Sequence, residues 1–388
     1  MQAGYNAIFL PQYPMKYLFP LLVCLCLVGS PVVAQQPSLT IAAKSYFLVD
    51  FQTGQALASE NEHEKIEPAS LTKLMTAYVV FSALKQGHIS LTQDGHVSER
   101  AWRMIGSRMF IEPNKRVTVD ELIRGMIVQS GNDACIALAE TIAGSEEIFV
   151  QMMNKEASRL SMHNTHFTNT TGLPDANHFS TAHDLALLAS AIIRDFPEFY
   201  PLYSLKEYTY NDITQPNRNR LLWLDPHVDG LKTGWTKTAG YCLITSAKRD
   251  NQRLISVIVG SDSAKTRSIE SQRLLNYGFQ FYDTVHLYNK NQEVTTIQLW
   301  KGSQNQLKAG FSHEVYFTLL KGQADKLKAT MEYKQPLIAP INAGDNVGTV
   351  IFTLDGKPMA TYPLVALESI GTTNIFGRTW DSIQLLFN

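Results

Sequence analysis

The sequence is short of cysteine: four occur in 388 residues, and Cys24 and Cys26 lie in an N-terminal apolar stretch without the small-residue context of a lipid-modified cysteine. Cys135 and Cys242 are too few for a disulfide scaffold, and two buried thiols are the simpler expectation. Charge of one dominant sign is also missing. The formal net charge is −1 and no basic patch with interleaved aromatics occurs, which argues against nucleic acid as a partner. The ten histidines include no pair at metal-ligand spacing on a shared face, so no metal or other cofactor is expected. His163, His166, His178 and His183 read as surface or loop residues. The apolar run from Tyr17 to Val28 is interrupted by Pro20 and closed by Gly29 and Pro31, too short for a permanent membrane helix. Lys16 before it and Val32-Val33-Ala34 after it make residues 1–34 a secretion signal with a small-residue cleavage site. Met15 is an alternative start, because residues 1–14 add nothing to such a signal.

What the chain does have is ample material for a core. At 388 residues with 45% apolar side chains, it can fill two or three domains. Its organising stretch is Pro68-Ala69-Ser70-Leu71-Thr72-Lys73 followed by Leu74-Met75-Thr76-Ala77-Tyr78-Val79-Val80. Leu71, Leu74, Met75, Tyr78 and Val79 recur at the spacing of one helical face, so a core helix is entered through a Pro and a Ser and ends near Gly87. Three residues apart, Ser70 and Lys73 share a face. A serine becomes a nucleophile when a neighbouring base takes its proton, and a helix N-terminus together with burial lowers an amine's pKa enough for that task. Alone, the pattern reads equally as an N-cap Ser and a solvated Lys; Ser82 and Lys85 repeat the spacing by accident.

Two further stretches give it company: Ser130-Gly131-Asn132 and Lys232-Thr233-Gly234. Thr118-Val119-Asp120-Glu121 opens a helix that runs toward Ser130. Asn132 to Gly144 forms another, with Ala134, Ala137, Leu138 and Ile142 on one face. Ser130 and Asn132 therefore sit at a helix junction, where Asn132 can cap the second helix, serve a ligand, or both. Residues 172–180 form a loop and a helix runs from His183 to Ile193. Strands are expected near residues 41–58, 228–235, 239–246 and 253–260, with a closing helix over 265–281. Gly234 has no side chain to block a ligand's approach; otherwise this is a plain edge strand with an exposed Lys. Strands at both ends of this region imply one sheet assembled from distant parts of the chain, with an inserted helical lobe.

In this order, Ser-x-x-Lys, Ser-x-Asn and Lys-Thr-Gly are the set shared by penicillin-binding proteins and serine β-lactamases. The chain resembles the low-molecular-mass penicillin-binding proteins of the 5/6 type, D-alanyl-D-alanine carboxypeptidases of serine peptidase family S11. The likeness rests on Glu67 to Thr76, Gln129 to Cys135, Val228 to Gly234, and Asn217-Arg218-Asn219 with Leu221-Leu222-Trp223. It implies an α+β fold: a β-lactamase/transpeptidase-like catalytic domain (35–283), a C-terminal β-sandwich (284–373) and a terminal amphipathic helix (374–388).

The same resemblance makes Ser70 the acylated nucleophile, Lys73 its general base and Ser130 the proton relay to the departing amine. Asn132 would hold the peptide, Lys232 would tune Ser130 and help keep Lys73 neutral, and Thr233 would bind the terminal carboxylate. Arg267 matches a position suited to that carboxylate, with a salt-bridged surface Arg as the other reading. The backbone N–H groups of Ser70 and Trp235 would form the oxyanion hole. Trp235 stands where this family most often has His. The implied reaction removes the terminal D-alanine from peptidoglycan stem pentapeptides, with β-lactams as covalent inhibitors, on the periplasmic side of the inner membrane.

The C-terminal region carries short alternating strands near 295–300, 314–319, 329–333 and 348–354. Phe376, Trp380, Ile383 and Phe387 then fall on one helical face of a tail too short to cross a bilayer but able to lie in its interface. A terminal helix docked on the sandwich is the alternative. A β-lactamase of this motif class needs a Glu on a loop between the second and third motifs, and residues 157–197 contain none. A fold that has lost turnover is the remaining alternative.

Overall fold

In the computed structural model, residues 39–333 and 335–385 are described; the expected signal segment, with Cys24 and Cys26, lies outside them. In chain order the elements are β1 (Ser45–Asp50), β2 (Ala56–Glu60), α1 (Lys73–Lys85), α2 (Glu99–Trp102), α3 (Val119–Val128), α4 (Asn132–Ala143), α5 (Glu146–Arg159) and α6 (Ala182–Asp195). They are followed by β3 (Glu207–Tyr210), β4 (Ile213–Pro216), α7 (Leu221–Leu224), β5 (Val228–Thr236), β6 (Gly240–Arg249), β7 (Gln252–Ser261) and α8 (Ala264–Phe281). The C-terminal part comprises β8 (Tyr282–Tyr288), β9 (Glu293–Trp300), β10 (Gln306–Gly310), β11 (Val315–Leu320), β12 (Leu327–Tyr333), β13 (Leu337–Ile338), β14 (Asn346–Leu354), β15 (Lys357–Ala366) and α9 (Ile375–Gln384).

Local chemistry explains the helix starts. Thr118 and Glu121 close a reciprocal capping box on α3, satisfying two donors that a helix end leaves orphaned. Ser98, Ser145, Thr181 and Ser263 each accept a backbone N–H at the start of α2, α5, α6 and α8. The expected capping role of Asn132 is not what the structure shows: Gly131 occupies that position, and the Asn132 side chain donates instead to the Ile105 carbonyl at 2.7 Å.

The catalytic half is built on one antiparallel sheet in the order β2-β1-β7-β6-β5. β1 pairs with β7 across some two hundred residues, so the first strands of the chain complete the sheet formed by the last three of this half. α1, α3, α4, α5 and α6 share one apolar core with the inner face of β1, β5, β6 and β7. β5 is the end strand, and its free edge faces the helical lobe.

The C-terminal half has its own apolar core. A six-stranded sheet, β12-β14-β15-β10-β9-β13, combines with the two-stranded β8–β11 ribbon, of which β8, β10, β13 and β15 were not anticipated from the sequence. The halves meet at Asp50, a buried carboxylate at the end of β1. It accepts the Thr53 N–H and hydroxyl at 3.0 and 3.1 Å and also the Thr284 hydroxyl, while Thr53 contacts the Thr318 hydroxyl at 2.6 Å.

Candidate active site

Ser70 lies on a single 3-10 turn, Ala69–Thr72, and Lys73 is the first residue of α1. Ala69 has a φ of 48°, a left-handed conformation an L-residue holds only when its surroundings enforce it. Lys73 Nζ donates to Ser70 Oγ at 3.2 Å and to the Thr171 carbonyl at 2.6 Å. The ammonium is fully buried, and burial above all pulls its pKa down to about 8, with the Arg218 charge adding in the same direction against the opposing influence of Cys135 and Asp133. Arg218, to which the sequence assigns no such role, is thus a further cation that pushes on Lys73.

Ser130 also has positive φ, 62°, which turns its side chain out of the α3–α4 junction toward β5. Lys232 Nζ donates to Ser130 Oγ and to the Thr233 carbonyl, both at 2.9 Å. Lys232 is buried, not exposed on a plain edge strand, and burial first, then the like charges of Lys73 and Arg218, hold its pKa well below the usual range. The next residue after Asn132, Asp133, accepts the backbone N–H groups of Met109, Phe110, Ile111 and Ala134 at 2.8 to 3.3 Å. It ties the 105–111 segment to α4, with Gly106 and Ser107 facing the cleft.

Gly234 is needed for a different reason from the one anticipated. A Cβ there would press on the Pro68 carbonyl, Ala69 Cβ and Leu71 Cγ at 3.2 to 3.3 Å, so the glycine lets β5 pack against the Ser70 turn. Gly172 does the same from the other side: its φ is 81° and a Cβ would overlap the Ala69 carbonyl.

The resulting cleft of ≈ 770 Å³ is lined by Ser70, Ser130, Asn132, Thr233, Gly234, Trp235 and Arg267, with Lys73 and Lys232 just beneath. Every residue singled out from the sequence is therefore brought to one place. Arg267 is buried, not a surface residue, and no carboxylate pairs with it among the described residues; its Nη1 donates to the Gly234 and Cys242 carbonyls at 3.1 and 3.4 Å.

Several residues to which the sequence assigns no role also contribute. Arg218 lines the cleft, and Thr171 supplies the carbonyl that holds Lys73. The loop carrying Thr171 is folded by Asn169, whose Oδ1 accepts from Thr171 N, Thr171 Oγ1, Gly172 N and Leu173 N at 2.7 to 3.2 Å. Glu146, which precedes residues 157–197, reaches the same loop. It is committed there, accepting the Thr170 N–H and hydroxyl at 2.9 and 2.8 Å and pairing with Arg100. His178 lies in a loop, as expected, and is buried there. Its Nδ1 accepts the Thr168 N–H at 3.0 Å, so Nε2 carries the proton and donates to Thr72 Oγ1 at 2.8 Å; burial drives its pKa down to about 4 and keeps it neutral. Cys135 and Cys242 are free and buried, as expected.

A sheet-and-helix body that joins two hydrogen-bonded Ser–Lys pairs across one cleft defines a serine acyl-transferring enzyme of the β-lactamase/transpeptidase-like class. Residues 31–263 match the family described as D-alanyl-D-alanine carboxypeptidase, peptidase S11, and residues 282–372 match the C-terminal domain of penicillin-binding protein 5. The chain belongs to the D-alanyl-D-alanine carboxypeptidase family. It is 43% identical to the D-alanyl-D-alanine carboxypeptidase DacC of Escherichia coli (strain K12), over 90% of this chain and 89% of that protein. Penicillin-binding protein 5 from Haemophilus influenzae superposes with a TM-score of 0.82 at 42% identity, covering 86% of this chain and 99% of the other. Penicillin-binding protein D2 from Listeria monocytogenes, solved in the ampicillin-bound form, matches 63% of this chain and 100% of its own, with a TM-score of 0.58 at 31% identity.

Proposed function

We propose that this chain releases the terminal D-alanine from peptidoglycan stem pentapeptides through an acyl-enzyme on Ser70. The observation that carries the reading is the pair of lysine–serine hydrogen bonds facing one cleft, Lys73 to Ser70 and Lys232 to Ser130. Neutral Lys73 takes the Ser70 proton as Oγ attacks the carbonyl of the penultimate D-alanine. The backbone N–H groups of Ser70 and Trp235 stabilise the oxyanion. Ser130 passes a proton to the departing amine, and Lys232 holds the hydroxyl in place for that transfer. Asn132 orients the acyl peptide. Thr233 receives the terminal carboxylate, with Arg267 and Arg218 supplying positive charge beside it. Water then attacks the acyl ester, the carboxylate product leaves and Ser70 is regenerated. A β-lactam enters the same sequence and stops at the acylated serine. Incubation with a D-alanyl-D-alanine peptide is expected to yield free D-alanine, and mass spectrometry after penicillin treatment to place one adduct on Ser70; neither product forming would overturn the reading.

The functional units follow as a catalytic domain over 35–283, a β-rich accessory domain over 284–373 and a membrane-contacting helix over 374–388, in a protein exported to the periplasmic face of the inner membrane. The support for the last unit is α9, where Ile375, Phe376 and Trp380 are exposed, Phe376 at 87%. No described helix is long and apolar enough to cross a membrane, so the segment would lie in the interface. Toward its C-terminal end it is tied to the accessory domain by Asp381, which accepts the Lys301 N–H at 2.5 Å. Truncation before Asn374 is expected to move the protein from the membrane to the soluble fraction; unchanged fractionation rejects the anchor.

A further inference from the structure

Next to the groups assigned to the terminal carboxylate, the cleft carries an aromatic wall that the acyl transfer above leaves unused. Strand side chains alternate between faces, so Thr233 and Trp235, two residues apart on β5, share one. Trp235 is directly opposite Tyr241 in the β5–β6 register. Their rings lie 5.8 Å apart at 42°, within the range of a favourable aromatic pair. Behind them the Arg267 guanidinium sits 5.6 Å from the Tyr241 ring, close enough for a cation–π contact. Trp235, Tyr241 and Arg267 all line the cleft. The indole is thus braced from within yet remains 55% exposed at the rim, on a strand that is otherwise largely buried.

A peptide with its carboxylate at Thr233 and its scissile carbonyl at Ser70 has its last residue between those two points. That residue's side chain must leave the line joining them. Along the same face of β5 the adjoining surface is the indole, and Gly234, whose missing side chain points toward the Ser70 turn, puts nothing in between.

Resting on the carboxypeptidase reading, we propose that Trp235, backed by Tyr241, is a specificity-determining residue that accepts an apolar or aromatic side chain on the amino acid being released. The chain would then cleave acyl-D-Ala-D-Xaa peptides in which Xaa is bulkier than alanine. The chemistry is unchanged: the amide C–N bond breaks, the Ser70 ester forms, the freed amine takes its proton from Ser130, and water resolves the ester.

The test is steady-state release of D-phenylalanine and D-alanine from acyl-D-Ala-D-Phe and acyl-D-Ala-D-Ala peptides by the full chain, Trp235→Ala and Trp235→Phe. In Trp235→Ala the D-Phe to D-Ala ratio of kcat/KM is expected to fall about tenfold, the scale of a lost apolar pocket contact, chiefly through KM for the D-Phe peptide. Trp235→Phe is expected to restore it. A ratio unmoved in Trp235→Ala, or equally depressed in Trp235→Phe, overturns the proposal while leaving the carboxypeptidase reading intact. Failure of the unaltered chain to release either amino acid, with Ser70 unmodified by penicillin, would instead remove the reading on which the proposal rests.

Discussion

The two halves of the molecule use buried polarity in opposite ways. Buried polar and charged residues crowd the catalytic half, among them Lys73, Ser130, Asp133, Lys232 and Arg267, whereas Thr318 is the one described residue beyond β8 in that group. The C-terminal half is held by apolar contact: Phe352 packs against Phe317, Tyr362 and Phe311 with centroids 4.9 to 6.3 Å apart. Burying polar groups costs stability unless each finds a partner. The catalytic half bears that cost because a dry, preorganised site needs it, and the other half, with no such site, avoids it.

The largest effect that should separate the halves is on turnover. Ser70→Ala is expected to lower D-alanine release by about 10³-fold or more and to abolish the penicillin adduct, with no loss of melting temperature. A folded variant that still forms the adduct would break the assignment. Next comes pH: the base form of Lys73 is lost as pH falls below about 8, so kcat/KM is expected to drop close to tenfold per unit below that value and to level off above it. A flat profile between pH 6 and 8 would mean another group takes the proton.

Stability variants sharpen the contrast. Phe352→Ala should cost about 3–5 kcal/mol, read by denaturant unfolding, while turnover of a soluble peptide by the protein that remains folded stays unchanged. Asp133→Ala strands up to four backbone donors and should cost about 2–3 kcal/mol. Unlike Phe352→Ala it should also depress kcat, because the 105–111 segment that holds Asn132 loosens. Equal kinetic effects of the two substitutions would erase the distinction. The smallest expected change is Thr53→Val at the junction, about 1 kcal/mol in the same unfolding measurement.

How much of this was legible beforehand differs by type of interaction. The Ser70 turn, α3, α4, α6, α8 and strands β1, β2, β5, β6 and β7 follow from periodicity, caps and turn residues, and the expected α+β architecture stands. What stayed hidden depends on contacts through space. The Lys73 partner is the carbonyl of Thr171, and a carbonyl leaves no mark in residue identity. Arg218 and Asn169 sit in irregular segments where no period signals direction. His178 has the composition of a loop residue, and only tertiary packing buries it against Thr72. Gly234 was recognised as necessary, but the atoms it avoids belong to a segment more than 160 positions away. Trp235 departs from the family's usual His, and its orientation toward Tyr241 is set by the strand register.

β5 ends the catalytic sheet. A terminal strand with free backbone donors and acceptors is ordinarily a template on which sheets of separate molecules polymerise. Here β5 packs against the Ser70 turn at Gly234 and is tied to the α3–α4 junction by Lys232 and Ser130. Covering an edge strand in this way is one of the means by which sheets avoid edge-to-edge pairing.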